Sequence, residues 1–339
     1  MSERRVFFGT LALSCAQAAK FGLQLAVLPV LARILGPQSY GLVAIAMPFI
    51  LLANMLSDAG LGSALVRVEN PSRDLESTAF WLSGAVCVGL TIILALAAVP
   101  VSQLLHASKL PPILLTLSLV LIISGSLSVP NARIMRQRRF AVFAVSDVVS
   151  SVSAACAAIA AALAGWGPWS LVVQQLVLWI VKSAWIACAA RFVPAMICRP
   201  ALVASHVSFG VHAAASGVAD FFGKNAPTVL VGGLLGVLAA GQYSMAFQLT
   251  RLLDSLISGP IYVVIFTAIA QLGERRAQAA EVAMRGLRGV AIVLAPAFAG
   301  LAAVADLLVK LLLGPKWAAS AAVLALLAPF GFLLCLLSI

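Results

Sequence analysis

The chain has 339 residues, 63% of them hydrophobic and only 10% charged, with a formal net charge of +11. At a mean hydropathy of +1.09 it has too little charge to cover a water-facing surface, which excludes an ordinary soluble domain and points to an all-α protein embedded in lipid. Cys15, Cys87, Cys156, Cys188, Cys198 and Cys335 form no CxxC pair and do not cluster with the three histidines, so no disulfide framework, metal site or cofactor is expected.

The chain opens with "MSERRVFFGT". Arg4-Arg5 ahead of an apolar run suits either an export signal or a basic tail before a first membrane helix. The run continues to Leu31 and contains Lys20, longer than the roughly 7–15 apolar residues of a signal peptide. The tail reading is preferred. Membrane-length apolar runs, about 20 residues each, then recur at 6–32, 41–66, 79–104, 111–131, 141–164, 168–190, 203–232, 241–270, 283–312 and 318–338. Ten spans are predicted, joined by short connections rich in Gly and Pro.

With the N-terminus inside and the spans alternating, fourteen arginines fall in inside segments: Arg4, Arg5, Arg67, Arg73, Arg133, Arg136, Arg138, Arg139, Arg191, Arg199, Arg275, Arg276, Arg285 and Arg288. Only Arg33, Lys109, Lys310 and Lys316 fall outside. This is the asymmetry of the positive-inside rule, so the basic balance reflects orientation in a bilayer and not a nucleic-acid partner.

An internal repeat is visible. Leu35, Gly36, Gly41 and Ala46 reappear without a gap as Leu235, Gly236, Gly241 and Ala246, among eight identities between positions 21–60 and 221–260. In the first copy Pro37 is expected to end the helical ladder, with Gly36 and Gly41 permitting the turn and Arg33 snorkelling to the interface. Six helices separate the copies, so both hairpins should face the same side. Two parallel-repeat lobes around a central cavity are expected, 1–198 with six helices and 199–339 with four.

Four segments carry a family resemblance: "DAGLGSALVR" (58–67), "MRQRRF" (135–140) followed by Asp147, "GWGPWSLVVQQLV" (165–177) and "LLLGPKWAASAAVLALLA" (311–328). In this order they resemble the polysaccharide-transport flippases of the multidrug/oligosaccharidyl-lipid/polysaccharide export superfamily. The resemblance implies a bacterial inner-membrane flippase that moves undecaprenyl-diphosphate-linked repeat units outward for O-antigen, capsule or exopolysaccharide assembly. Its implied partners are the lipid-linked oligosaccharide, membrane lipids and polysaccharide polymerase or export machinery. The family usually has twelve or more helices, whereas this sequence stops within "FGFLLCLLSI", so the second lobe is expected to be incomplete. Where the family often carries an acid and a base, in "KNAPTVLVGGLLG", this chain has Pro227 and Gly233.

Ionisable residues at membrane depth cost at least about 2.5–3.5 kcal/mol at the bilayer centre and so mark function or pairing. They are Lys20, Asp147, Lys182, Asp220, Lys224, Arg251 and Asp254. Asp220 with Lys224, and Arg251 with Asp254, have helical spacing for pairing; they either neutralise one another or serve transport. Lys20 has no acid within four positions and lies too deep to snorkel, which makes it the leading cavity cation. Lys20, Lys224 and Arg251 are the candidate substrate-binding cations. Asp147, Asp220 and Asp254 are the candidate coupling or pairing acids. The cluster Arg133, Arg136, Arg138 and Arg139 sets topology, and a second role would be to draw anionic headgroups to the inner opening. Gly217, Gly223, Pro227, Gly232 and Gly233 make the seventh span either breakable or closely packed.

A transporter without enzymatic activity is the leading reading. A small-molecule exporter of the same superfamily would need acids and aromatics in the cavity, and the chain has only three tyrosines. A membrane enzyme of polysaccharide assembly would need a large polar outer loop, which the sequence lacks. No GxxxxGK[ST] loop for ATP is present.

Overall fold

The computed structural model describes residues 3–58, 65, 71–197, 221–253 and 276–337. Every regular element among them is helical. In chain order they are α1 (Glu3–Asp58), α2 (Arg73–Leu104), α3 (Leu110–Gly125), α4 (Ser128–Arg136), α5 (Phe140–Leu163) and α6 (Trp169–Ala190). They continue with α7 (Phe221–Leu253), α8 (Arg276–Ala303), α9 (Ala305–Leu312), a 3-10 turn (Pro315–Trp317) and α10 (Ala318–Leu337). Seven of these helices are long and apolar enough to cross a membrane, or eight if the bent pair α3–α4 is one span.

Two of the seven are folded. The apolar part of α1, Cys15–Ser57, runs for 43 residues, about 65 Å at about 1.5 Å per residue and twice the hydrocarbon thickness. It is broken at Gly36 (φ 74, ψ 173), a region open essentially to glycine alone. Residues 37–58 are helical from Pro37 onward, so the ladder breaks at Gly36 and Pro37 starts the next helix, where its missing N–H costs nothing. Gly41 therefore lies inside the second arm, and the turn needs one glycine where two were expected. The repeat copy behaves alike: Gly236 has φ +87. A methyl built on Gly232 would lie 3.5 Å from the Ala240 Cβ, whereas residues eight apart on a straight helix are about 12 Å apart. The chain has reversed. A third case is Gly314-Pro315, where Gly314 (φ 90, ψ 178) precedes the 3-10 turn.

Among the described residues the fifth, sixth and tenth spans follow the predicted limits closely, and two others are corrected. The fourth is bent by 40° between α3 and α4, and the ninth breaks at Val304, leaving the amphipathic α9 as a separate piece. The seventh does not break at its internal glycines: Gly223, Pro227, Gly232 and Gly233 are all helical. A methyl on Gly232 would lie 2.6 Å from Ile45 Cδ1, so close packing is the reason for the small residue there. Gly217 lies outside the described residues.

The chain forms two compact units, Met1–Ala240 and Gly241–Ile339. The predicted lobe boundary at 198–199 falls outside the described residues. In the first unit α5 packs against α6 and α1, made possible by a stripe of buried alanines (Ala154, Ala155, Ala158, Ala161, Ala162) that lets helix backbones approach closely. Leu31, Ile45, Leu114, Leu121 and Val172 fill the centre of its core. In the second unit Val290, Leu294 and Phe298 of α8 pack on Ala328 and Cys335 of α10. Ser320 Oγ donates to the Gln242 carbonyl at 3.0 Å and Gln242 Nε2 to the Lys316 carbonyl at 3.1 Å, tying the start of that unit to the turn before α10.

Candidate functional site

The two ends of the first unit differ in chemistry. At one end lie the glycine turns. A Cβ on Gly167 would be 4.0 Å from Ser39 Oγ, and one on Gly233 would be 2.9 Å from Leu105 Cδ2. The Gly36 turn, the 165–168 loop, the end of α2 and the approach to Gly236 thus gather together. The opposite end of α2, 32 residues away or about 48 Å along the axis, carries the charge. Glu76, 4% exposed, sits there between Arg133 and Arg136 of α4, with Arg133 Nε donating to Oε2 at 2.9 Å and both guanidinium NH2 groups in contact.

That arrangement follows from spacing. Arg133 and Arg136 are three apart, so they share one face of α4 and present two charges to one carboxylate. Arg133 also stacks on Phe192, 4.7 Å from its ring centroid. Arg139 Nη1 donates to the Ala189 carbonyl at 3.0 Å, while Trp81 Nε1 donates to the Ala195 carbonyl at 2.8 Å and Ser77 Oγ accepts from the Ala195 N–H at 3.0 Å. Two of the four clustered arginines thus share a single acid, which leaves the three groups with a net charge of about +1, and Arg138 stays exposed.

Within the helices, Asp147 of α5 accepts from Lys182 Nζ of α6 at 2.7 Å. Both side chains are mostly buried, 20% and 26% exposed, and the lysine also stands 6.0 Å from the Trp179 ring centroid. Asp147 is therefore a paired acid, and the pairing joins residues 35 apart in sequence.

The three candidate cations are placed differently. Lys20 is half-buried on the first arm of α1, and no described residue forms an ion pair with it. Lys224 is exposed near the start of α7 and is engaged with a neighbour. Arg251 belongs to the second unit and is exposed, its guanidinium 6.0 Å from the Phe247 ring centroid. Asp220 and Asp254, the expected partners of Lys224 and Arg251, lie outside the described residues. No group of three or more His, Cys, Asp or Glu able to hold a metal occurs among the described residues.

Two features escaped the sequence reading. Glu76 was signalled by a pair of arginines three apart on one helix face, which requires a nearby acid. The Asp147–Lys182 pair was signalled by depth. Asp147 lies seven residues past the start of α5 at Phe140, and Lys182 eight before the end of α6 at Ala190. Adjacent antiparallel helices joined by a short loop put such positions side by side.

Comparison with known proteins agrees with this architecture. Residues 30–322 match the family described as polysaccharide biosynthesis protein. Relatives include the succinoglycan biosynthesis transport protein ExoT of Rhizobium meliloti (strain 1021), 29% identical over 92% of this chain and 63% of its own length. The lipopolysaccharide biosynthesis protein WzxC of Escherichia coli (strain K12) is 27% identical over 92% of this chain and 64% of its own. The chain thus spans somewhat under two thirds of the length of these relatives. Among solved structures it is similar in fold to an inward-facing multidrug resistance MATE family transporter of the MOP superfamily, with TM-score 0.64 at 16% identity, covering 96% of this chain and 82% of that one. The eukaryotic MATE transporter AtDTX14 is also similar, with TM-score 0.57 at 15% identity, covering 98% and 80%. The resemblance carried by the four sequence segments is borne out.

Proposed function

Because the chain belongs to the polysaccharide biosynthesis protein family, we propose that it is the membrane-spanning part of a flippase for undecaprenyl-diphosphate-linked oligosaccharides. It lies in the bacterial inner membrane with its N-terminus in the cytoplasm and supplies repeat units to polymerase and export machinery. Transport is by alternating access, and Lys20, Lys224 and Arg251 supply fixed positive charge along the path.

The observation that carries this reading is the set of relatives, named for succinoglycan transport and lipopolysaccharide biosynthesis. The physical support is Lys20. A diphosphate crossing a medium of low dielectric needs a counter-charge at depth, and Lys20 is half-buried without an acid to neutralise it among the described residues. Asp147 is held by Lys182 and serves packing, leaving Asp220 and Asp254 as the acids proposed for coupling. Helices packed with small residues and broken at single glycines support movement of rigid arms about fixed turns, and no step in the proposal requires a chemical reaction.

The test is deletion of the chromosomal gene in its own host, followed by extraction of lipid-linked saccharides. The flippase reading expects repeat units to accumulate on the inner leaflet and surface polysaccharide to disappear, both reversed by the intact gene. Unchanged surface polysaccharide in the deletion strain would rule it out.

A further inference from the structure

A cavity of about 350 Å³ opens between α1, α2, α3, α4 and α6 of the first unit, within the roughly 300–1,000 Å³ of small-ligand pockets. For a protein of this apolarity its lining is unusual. Among the described residues, four serines, two asparagines and Trp179 face it, and none of the residues described there is charged. It adjoins the arginine end of the unit, since Ser128 and Asn131 of its wall share α4 with Arg133 and Arg136.

The state of these groups indicates the chemistry it accepts. Each serine has spent its one proton on a backbone carbonyl. Ser57 donates to Asn54 at 2.7 Å, Ser83 to Gly125 at 3.4 Å, Ser124 to Leu121 at 3.0 Å and Ser128 to Gly125 at 3.2 Å. Their lone pairs are left to accept. Asn131 Oδ1 is buried with no hydrogen-bond partner, a cost that a turn of its amide toward the cavity would let a ligand relieve. The asparagine amide groups add donors, and the indole of Trp179 adds an apolar face. The wall therefore presents mostly acceptors, with some donors and one aromatic plate.

A phosphate is a poor occupant, because it would bring further acceptors against acceptors with no cation among the described lining residues. A bare cation is no better, because no carboxylate occurs among the described lining residues of a space this wide. A neutral polyhydroxylated ring fits: its hydroxyls both donate and accept, and its apolar C–H face suits the indole. We infer that this cavity is a subsite for a neutral sugar residue, separate from the cations that face the diphosphate. The inference rests on the flippase reading for its biological sense. It places the glycan in a neutral hydrogen-bonding pocket of the first unit, so that the sugar exchanges water for protein partners before it moves.

The test uses the whole chain in lipid nanodiscs, titrated with neutral disaccharides of glucose, galactose and N-acetylglucosamine and separately with inorganic pyrophosphate. Tryptophan emission and melting temperature are the readouts. At least one disaccharide is expected to bind in the millimolar range. Asn131→Leu should weaken it roughly tenfold, Trp179→Phe should remove most of the emission change, and the milder Ser124→Ala should weaken binding a few-fold without altering the melting temperature. Pyrophosphate should not compete. The subsite is overturned if no disaccharide in the set binds, if binding survives all three substitutions, or if pyrophosphate displaces the sugar. The two readings fail separately. Sugar binding in a protein whose deletion leaves surface polysaccharide intact would sink the flippase and keep the pocket. Glycan translocation undiminished by Asn131→Leu and Trp179→Ala would do the reverse.

Discussion

Asp147 and Lys182 face each other at 2.7 Å across α5 and α6, at matching depths on two neighbouring antiparallel helices. Removing one partner of such a pair leaves the other charged and poorly solvated, at a cost of about 1–3 kcal/mol or more. Asp147→Asn and Lys182→Gln should each lower the melting temperature of the purified protein. The exchange Asp147→Lys with Lys182→Asp should recover most of the loss. If the double variant is as unstable as the sum of the singles, the contact contributes nothing specific.

Glu76 is the single carboxylate between Arg133 and Arg136. Glu76→Gln leaves two guanidinium groups facing one another, so it should destabilise the α4 end of the first unit more than any arginine substitution does. A loss of about 1–3 kcal/mol is expected for leaving partly buried charges unpaired, read as reduced membrane-inserted yield and early proteolysis near residue 133. The additional change Arg136→Gln should relieve part of it. A Glu76→Gln protein as stable as the parent would show that lipid or water replaces the carboxylate.

The turn glycines separate conformation from space. At Gly236 a methyl group would meet nothing within 4 Å, yet φ is +87. Gly236→Ala should therefore cost about 1–3 kcal/mol through backbone strain alone. Gly89, inside α2 with equally open surroundings, provides the control. Gly89→Ala should be neutral or stabilise by up to about 1 kcal/mol. Thermal unfolding of the two variants side by side decides it, and equal melting temperatures would mean that the Gly236 backbone is not held as described.

Orientation is testable by chemistry from one side. In a background without the native cysteines, Ser39→Cys and Ala239→Cys should react with an impermeant thiol reagent added to intact cells. Arg138→Cys should react only after the membrane is opened. Labelling of Arg138→Cys in intact cells would invert the proposed topology.

The cavity charge is tested at Lys20. Lys20→Ala should abolish translocation of lipid-linked repeat units while leaving membrane insertion and melting temperature near those of the parent, and Lys20→Arg should keep part of the activity because charge is the requirement. Accumulated repeat units are measured in a strain whose chromosomal copy is deleted. Normal surface polysaccharide from Lys20→Ala at matched expression would make the lysine a packing residue.

Hydrophobic run length and arginine placement determined most of the architecture. Runs such as 141–164 and 168–190 fell within a residue of α5 (Phe140–Leu163) and α6 (Trp169–Ala190), because in lipid a backbone must satisfy its hydrogen bonds within each span and apolar length alone marks it. The duplicated Leu-Gly also marked both reversals, since only glycine adopts the backbone angles they need. What the sequence could not supply were relations set by packing between helices. That Gly232 is small for Ile45 and not for a hinge, that Lys182 is claimed by Asp147, and that one glutamate holds two arginines 57 and 60 positions away all depend on which helix faces meet. So does the sugar-sized cavity. Its serines and asparagines are scattered from Asn54 to Asn131 and look like ordinary polar residues in helices. Only the packing of five helices brings them to one wall and leaves Asn131 Oδ1 without a partner.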